Sequence, residues 1–414
     1  MNGPPEPRAS APHRAGVVLR RLFGSRALVY ALYVAVAVFV TVRRGSSSST
    51  HTTFKIFRQS FWHLVDDINL YAHYPAEQGA AAVDLFKYSP TAAMLFMPIA
   101  LPPYWLAMLM WSVVSALAMC LVLERLLGRE RGRVAQWLLL PEVFATLEAV
   151  QSNALITVLM IAGFIALEER RQLRAAIAIV TATALKIYPA ATLVLALFHP
   201  RRWRFAAVTA GVALIELLMP LLVTPPSTLV QQYRWWFATE TYDASDLAFG
   251  ESVMKVMRQW FHLTWPNWPV QLLATLVLLT PLLLRRERWG DASFRRTALA
   301  SLLVFAVIFN HQAERPSFVI AVTGAVIWYL TSPRGWLRRV PTALSVLGLQ
   351  SPPLLACWIL IQRDLWAGAG RADRSRSRTA PPALQTAGST APGTPACGPA
   401  GSGRATGPPP TDGT

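Results

Sequence analysis

Charge is what this chain has least of. Only 15% of its 414 residues are Asp, Glu, Lys or Arg, 53% are hydrophobic, and the mean hydropathy is +0.36. Acid is the scarcer sign: 22 carboxylates stand against 39 Lys and Arg, a net charge of +17. A basic excess of that size often marks nucleic-acid binding. Here the arginines sit in short joints between apolar blocks, such as ERLLGRERGR, EERRQLR, HPRRWR and RRERWGDASFRR. They read as cytoplasmic retention signals, and nucleic acid is excluded as a partner. Cysteine is scarce too. Cys120, Cys357 and Cys397 are far apart, which excludes a disulfide framework and a thiolate metal site.

What is present is a series of apolar blocks of about 12 to 24 residues. They predict an all-α, polytopic helical membrane protein with about 10–12 membrane segments, some short or re-entrant. Residues 1–26, Pro-rich then Arg-rich, read as a cytoplasmic N-terminal tail. The first span, about 27–42, is read as retained, since Arg43 and Arg44 follow it and no small-x-small cleavage site stands out. A multi-spanning domain then runs over 27–361, with extracytoplasmic loops at 43–89 and 224–268. Residues 362–414, rich in Gly, Pro, Ala, Ser and Thr, are expected to be a disordered tail.

Finer readings follow from breaks in the pattern. HTTFKIFRQSFWHLVDD, in the first loop, predicts an interfacial helix. Residues 90–101, stopped by Leu-Pro-Pro, are too short to span and read as a half-helix. Residues 173–198 read as a hairpin broken at LKIYP, because Pro189 disfavours helix at Tyr188, and the break puts Lys186 at the turn. The second loop is dense in Trp and Tyr and reads as resting at the headgroup level. The last apolar run is about 341–361.

With the arginine joints inside, Asp66/Asp67, Lys87-Tyr88, Gln151/Asn153, Lys186-Tyr188 and His311/Glu314/Arg315 all fall on the opposite face. A carboxylate there is a general-base candidate, with Asp67 preferred over Asp66. Lys186 and Arg315, with His311, suit a phosphate. Gln151 and Asn153 suit sugar hydroxyls, and Tyr71 and Tyr88 suit the face of a sugar or a lipid. Glycosyl transfer from a lipid-phosphate sugar uses all of these, and needs no cofactor and no metal. Plainer roles stand beside each assignment. Asp66 or Asp67 caps a helix, Glu314 pairs with Arg315, and Gln151 and Asn153 bond between helices. Asp84 and Glu77 read as ordinary loop charges, and Glu142 and Glu216 lie in apolar runs with no role assigned. His63 and His73 match no strong metal-ligand spacing.

The ordered set Asp67-x-x-x-Tyr71, FKYSPTAAMLFMPIALPP, AVQSNALITVLM, ALKIYPA and FNHQAERPSFVIAVTG resembles glycosyltransferase family 87 over roughly residues 27–335. These are polyprenol-phosphate-mannose-dependent mannosyltransferase-like proteins. The resemblance implies a GT-C fold, a multi-pass plasma (inner) membrane enzyme with a cytoplasmic N-terminus, and an extracytoplasmic site. It also implies inverting transfer from a polyprenyl-phosphate sugar to a lipid or glycan acceptor, with Asp67 as catalytic base. Tyr88-Ser89-Pro90 and Val150-Gln151-Ser152-Asn153 depart mildly from the family's Tyr-Pro-Pro and Gly-Gln-x-Asn. A larger departure is the Gly/Pro-rich C-terminal end, where family members stay apolar. Two rival readings are a transporter or flippase of lipid-linked saccharides, for which no internal repeat is seen, and an assembly subunit of a cell-envelope complex.

Overall fold

Among the described residues the chain forms helices and no strands. The structure, a computed structural model, describes residues 24–46, 52–78, 84–245, 251–332, 335–349 and 351–367. All of them belong to one unit, residues 1–372. Most of the expected N-terminal tail (1–23) and of the expected C-terminal tail (368–414) lies outside the described residues.

The main helices are α1 (Arg26–Arg44), α2 (Thr53–Val65), α3 (Tyr104–Leu127), α4 (Arg129–Glu148), α5 (Asn153–Glu168), α6 (Gln172–Leu185) and α7 (Arg202–Leu218). They are followed by α8 (Pro226–Ser245), α9 (Val253–Phe261), α10 (Asn267–Leu284), α11 (Ala292–Ile308), α12 (Phe318–Thr331), α13 (Trp336–Val346) and α14 (Ser351–Ala367). Four segments are long and apolar enough to cross a membrane: α1, α3, residues Arg202–Leu222 and α10. Shorter apolar segments are α5, α6, Tyr188–Phe198 and Arg315–Thr331. The chain is an all-α protein of polytopic membrane type.

Local chemistry explains several boundaries. The Ser25 hydroxyl accepts from the Leu28 amide to start α1, and Asp291 accepts from the Ser293 amide to start α11. Ser89 caps the short helix Pro90–Leu95, which has proline at its first position. That helix and Met97–Ala100 are the expected half-helix, stopped before Pro102 and Pro103.

The hairpin over 173–198 forms as the Lys-Ile-Tyr-Pro break requires. Lys186 is extended, and Tyr188–Phe198 winds as a 3₁₀ helix. Fourteen α residues rise about 21 Å and eleven 3₁₀ residues about 22 Å, so the two arms match in length. The arms therefore return to one level. The Gln172 amide donates to the Arg201 carbonyl at 3.3 Å, and His199 Nε2 lies 3.8 Å from Glu168.

Small residues let neighbouring helices close up. A Cβ at Gly163 of α5 would meet Ile179 Cγ1 of α6 at 2.7 Å, and one at Gly324 of α12 would meet the Ala300 carbonyl oxygen of α11 at 2.6 Å. Around the second contact the core is dry, with Leu299, Leu303, Val319 and Ile320 all fully buried.

The structure adds detail in two places. The connection over 224–268 is largely helical: Pro226 opens the 20-residue α8, whose Trp235 and Trp236 pack against the apolar core. The last apolar run divides into α13 and α14, because Gly348 turns the chain at φ +91°.

The basic joints meet at one end of the helices. Arg295 forks onto Glu168 at 2.6 and 2.7 Å. Arg125 and Arg171 pair with Glu169, and Arg26 with Glu124. Arg338 and the Trp328 indole both donate to Asp364. The other ends of the same helices carry Glu148, Asn153, Lys186 and the turn after α11. The sixteen residues of α5 set Asn153 about 22 Å from Glu168.

Candidate active site

At the end away from the basic joints, residues from seven parts of the chain line a cavity of about 1060 Å³. Asp84, Lys87 and Tyr88 come from the segment entering the half-helix, and Thr53, Ile56 and Phe57 from the start of α2. The α4–α5 turn gives Glu148 and Gln151, and the hairpin tip gives Lys186 and Tyr188. Trp236 and Glu240 come from α8, and Gln271 from α10. The turn after α11 gives Asn310, His311, Gln312 and Glu314.

The α4–α5 turn is a left-handed helix cap. The Gln151 amide donates to the Thr146 carbonyl at 3.1 Å and the Val150 amide to that of Leu147 at 2.9 Å, with Val150 at φ +53°. A β-branched residue there is strained by about 1–2 kcal/mol. The turn brings Gln151 to the cavity wall. Its amide donates to Glu314 at 3.5 Å, and the Tyr88 hydroxyl donates to its carbonyl oxygen at 3.4 Å.

Lys186 stands outside both arms of its hairpin and donates to the Asn153 side-chain oxygen at 3.1 Å. The Tyr188 hydroxyl donates to the same oxygen at 3.4 Å. Burial lowers the Lys186 pKa, and the carboxylates of Glu314 and Glu240 act the other way. Gln271 donates to the Phe309 carbonyl at 3.1 Å and lies 3.5 Å from His311 Nδ1. An aromatic group backs the wall. Phe57 stacks on Phe96 at 4.5 Å, and Tyr88 meets Phe57 edge-on at 5.1 Å.

Lys186, His311, Gln151 and Tyr88, singled out in the sequence, therefore line one cavity. Asn153 and Tyr71 lie one step behind. Asn153 is fully buried beneath Lys186, and the buried Tyr71 donates to the Tyr88 carbonyl at 2.9 Å. Arg315 lies elsewhere. Its guanidinium forks onto Glu142 at 2.5 and 2.9 Å, and Glu142 is only 1% exposed. A carboxylate inside an apolar run needs a cation, and this one comes from 173 positions away.

Asp66 and Asp67 also lie off the cavity lining. Asp66 caps α2, and Asp67 follows it in the left-handed region at φ +58°, where Asp is tolerated. The Asp67 carboxylate accepts from the Thr224 hydroxyl at 2.5 Å. Among the described residues, no three His, Cys, Asp or Glu side chains gather as a metal site requires. His63 instead pairs with Glu77 at 2.9 Å.

The helix order, the short half-helix, the Lys186 hairpin and the shared cavity accompany a match to the model of glycosyltransferase family 87 over residues 86–310, more than half of the chain. The chain belongs to glycosyltransferase family 87. Among curated proteins, none matches it. As a family 87 glycosyltransferase it places most of its cavity wall inside the matched region, from Lys87 to Asn310. Asp66 and Asp67 precede that region, and His311 to Arg315 follow it.

Several cavity residues of this glycosyltransferase escaped the sequence reading: Asp84, Glu148, Glu240 and Gln271. Two carried a usable signal. Gln271 interrupts an apolar helix, and Glu148 begins the EAVQSN hinge. Asp84 stands three residues before Lys87, at the mouth of the half-helix, but reads as a loop charge.

Proposed function

We propose that the protein is a membrane-integral, inverting glycosyltransferase of GT-C type. It takes a sugar, mannose on the family resemblance, from a polyprenyl phosphate. It passes the sugar to a lipid or glycan acceptor at the extracytoplasmic face of the plasma membrane. The observation that carries this reading is the single cavity shared by Lys186, His311, Gln151 and four carboxylates from segments far apart in sequence. The arginine-rich joints at the opposite end support a cytoplasmic assignment for that end and an outward-facing cavity.

In this reading the ammonium of Lys186 and the imidazole of His311 hold the donor phosphate. Gln151 orients a sugar hydroxyl, and Tyr88 and Trp236 line its faces. Asn153 and Tyr71 act behind them, fixing Lys186 and Tyr88. Arg315 acts through its fork on Glu142, which anchors the turn bearing His311 and Glu314. The phosphate is a competent leaving group, so one carboxylate at the anomeric carbon completes the reaction.

Membranes containing the protein, incubated with polyprenyl-phosphate sugars and analysed by mass spectrometry, are expected to yield a glycosylated acceptor and free polyprenyl phosphate. Binding of the donor without any product would instead favour a carrier of lipid-linked saccharides.

A further inference from the structure

We infer that the start of α7, at the basic end of the helices, binds an anionic phospholipid, with Arg201, Arg202 and Arg204 holding the phosphate around Trp203. The inference needs only the membrane-spanning fold and stands apart from the transfer reaction.

The sequence sets this joint apart. ERLLGRERGR, EERRQLR and RRERWGDASFRR carry acids of their own, whereas HPRRWR has three arginines and no carboxylate. SPRGWLRR also lacks an acid, but its Arg338 reaches Asp364. Near α7 the carboxylates are taken. Glu168, 3.8 Å from His199, is held by the Arg295 fork, and Glu169 pairs with Arg125 and Arg171. Among the described residues Arg201, Arg202 and Arg204 pair with no carboxylate, and all three are exposed.

The local fold keeps these charges together. The Gln172 side chain donates to the Arg201 carbonyl and ties the joint to the start of α6. Arg202 and Arg204 follow in the first turn of α7, which contains no acid. Cations in the first turn of a helix oppose its dipole, and three of them within four residues repel one another. A phosphate among them offsets both effects, and its oxygens suit guanidinium forks.

The surface beyond the arginines decides what carries that phosphate. Residues Arg202–Leu222 are long and apolar enough to cross a membrane, and only 22% of their apolar window is buried within the protein. Trp203 is 79% exposed, as suits a tryptophan at headgroup level. Ala207, Gly211, Leu214 and Leu218 continue its face of the helix and are all exposed. A Cβ at Gly211 would meet nothing within 4 Å, so the chain leaves this face open. A phosphate at the arginines with acyl chains along that face is a phospholipid. A second copy of the chain fits less well. Two copies share one orientation in the membrane, so a two-fold contact through α7 would set each arginine cluster against its twin.

The test uses the full chain in detergent, with native mass spectrometry reading retained phosphatidylglycerol against phosphatidylcholine. Wild type is expected to retain phosphatidylglycerol in preference, and added salt to weaken that retention. Arg201→Gln/Arg202→Gln/Arg204→Gln should weaken phosphatidylglycerol binding by about 10²-fold, and each single substitution by about fivefold. Arg129→Gln/Arg131→Gln/Arg133→Gln removes the same charge at a joint that carries Glu130, and should stay close to wild type. Size-exclusion profiles check folding and oligomeric state, and the single variants carry the test where the triple variant does not fold. Equal retention of the two lipids by wild type overturns the site, as does an equal loss in both triple variants. A dimer that changes in the α7 variants without any change in lipid retention also overturns it, and gives the face to a second copy.

Discussion

The two ends of the helix bundle use the same residue types in opposite ways. At the basic end, Glu168, Glu124 and Asp364 each hold an arginine at 2.6 to 3.1 Å. At the cavity end Thr52 and Arg44 also hold carboxylates closely, but three contacts between lining side chains are long: Tyr88 to Gln151 at 3.4 Å, Gln151 to Glu314 at 3.5 Å and Gln271 to His311 at 3.5 Å. The first set is spent on holding helices together. The second surrounds open space and keeps hydrogen-bonding capacity for a ligand. Substitutions should therefore divide by end, with the cavity end changing rate and the basic end changing stability.

The largest effect on that division is expected at Lys186. Lys186→Met removes the cation at the hairpin tip and, on the proposed donor-phosphate role, should lower kcat/KM by about 10²- to 10³-fold, measured by product formation at limiting donor. A melting curve of the detergent-solubilised variant should stay close to wild type. Loss of fold together with activity would erase the distinction between the ends.

Lysine at this position also predicts a pH dependence. Burial lowers its pKa, so the ammonium is lost at lower pH than for an ordinary lysine. The kcat/KM profile should fall on its alkaline side, and Lys186→Arg, which keeps its charge, should move that fall to higher pH. An identical alkaline limb in both proteins would remove Lys186 from donor binding.

Arg295→Met tests the other end. It leaves Glu168 without its fork and should cost about 2 kcal/mol of stability, read as a lower melting temperature. Transfer at a permissive temperature should persist. Val150→Gly relieves a left-handed valine but empties a fully buried core position, so it should lower stability by about 1 kcal/mol, read as a lower melting temperature. The smallest change is expected for Arg125→Ala, because its pair with Glu169 is solvent-exposed and screened.

How much was legible in the sequence follows the same division. The basic end was readable, since arginine clusters between apolar blocks are local signals. The hairpin was readable because Pro189 states its own constraint. The contacts across the cavity were only partly so. Parity placed Lys186, Gln151 and His311 on one face, and the structure brings them to one wall. Arg315 and Glu142 could not be paired by inspection, since nothing local in either segment names a partner 173 residues away. The aspartates were the hardest. Asp84 reads as a loop charge in the sequence, and its place on the cavity wall shows only when α2 folds against it; Asp67 lies off that wall. The helical winding of α8 was not legible, because tryptophan and tyrosine are frequent at membrane surfaces in any conformation.

The 3₁₀ winding of Tyr188–Phe198 sets the height of the hairpin tip by pitch rather than by residue number. At α pitch, eleven residues would reach about 16 Å instead of about 22 Å. The difference is roughly one helical turn. Over that distance Lys186 would sink from the cavity wall toward the level of the apolar core. The stretched winding thus works as a gauge, and a one-residue deletion within it would lower the cation by about 2 Å without replacing any side chain of the cavity lining outside the hairpin.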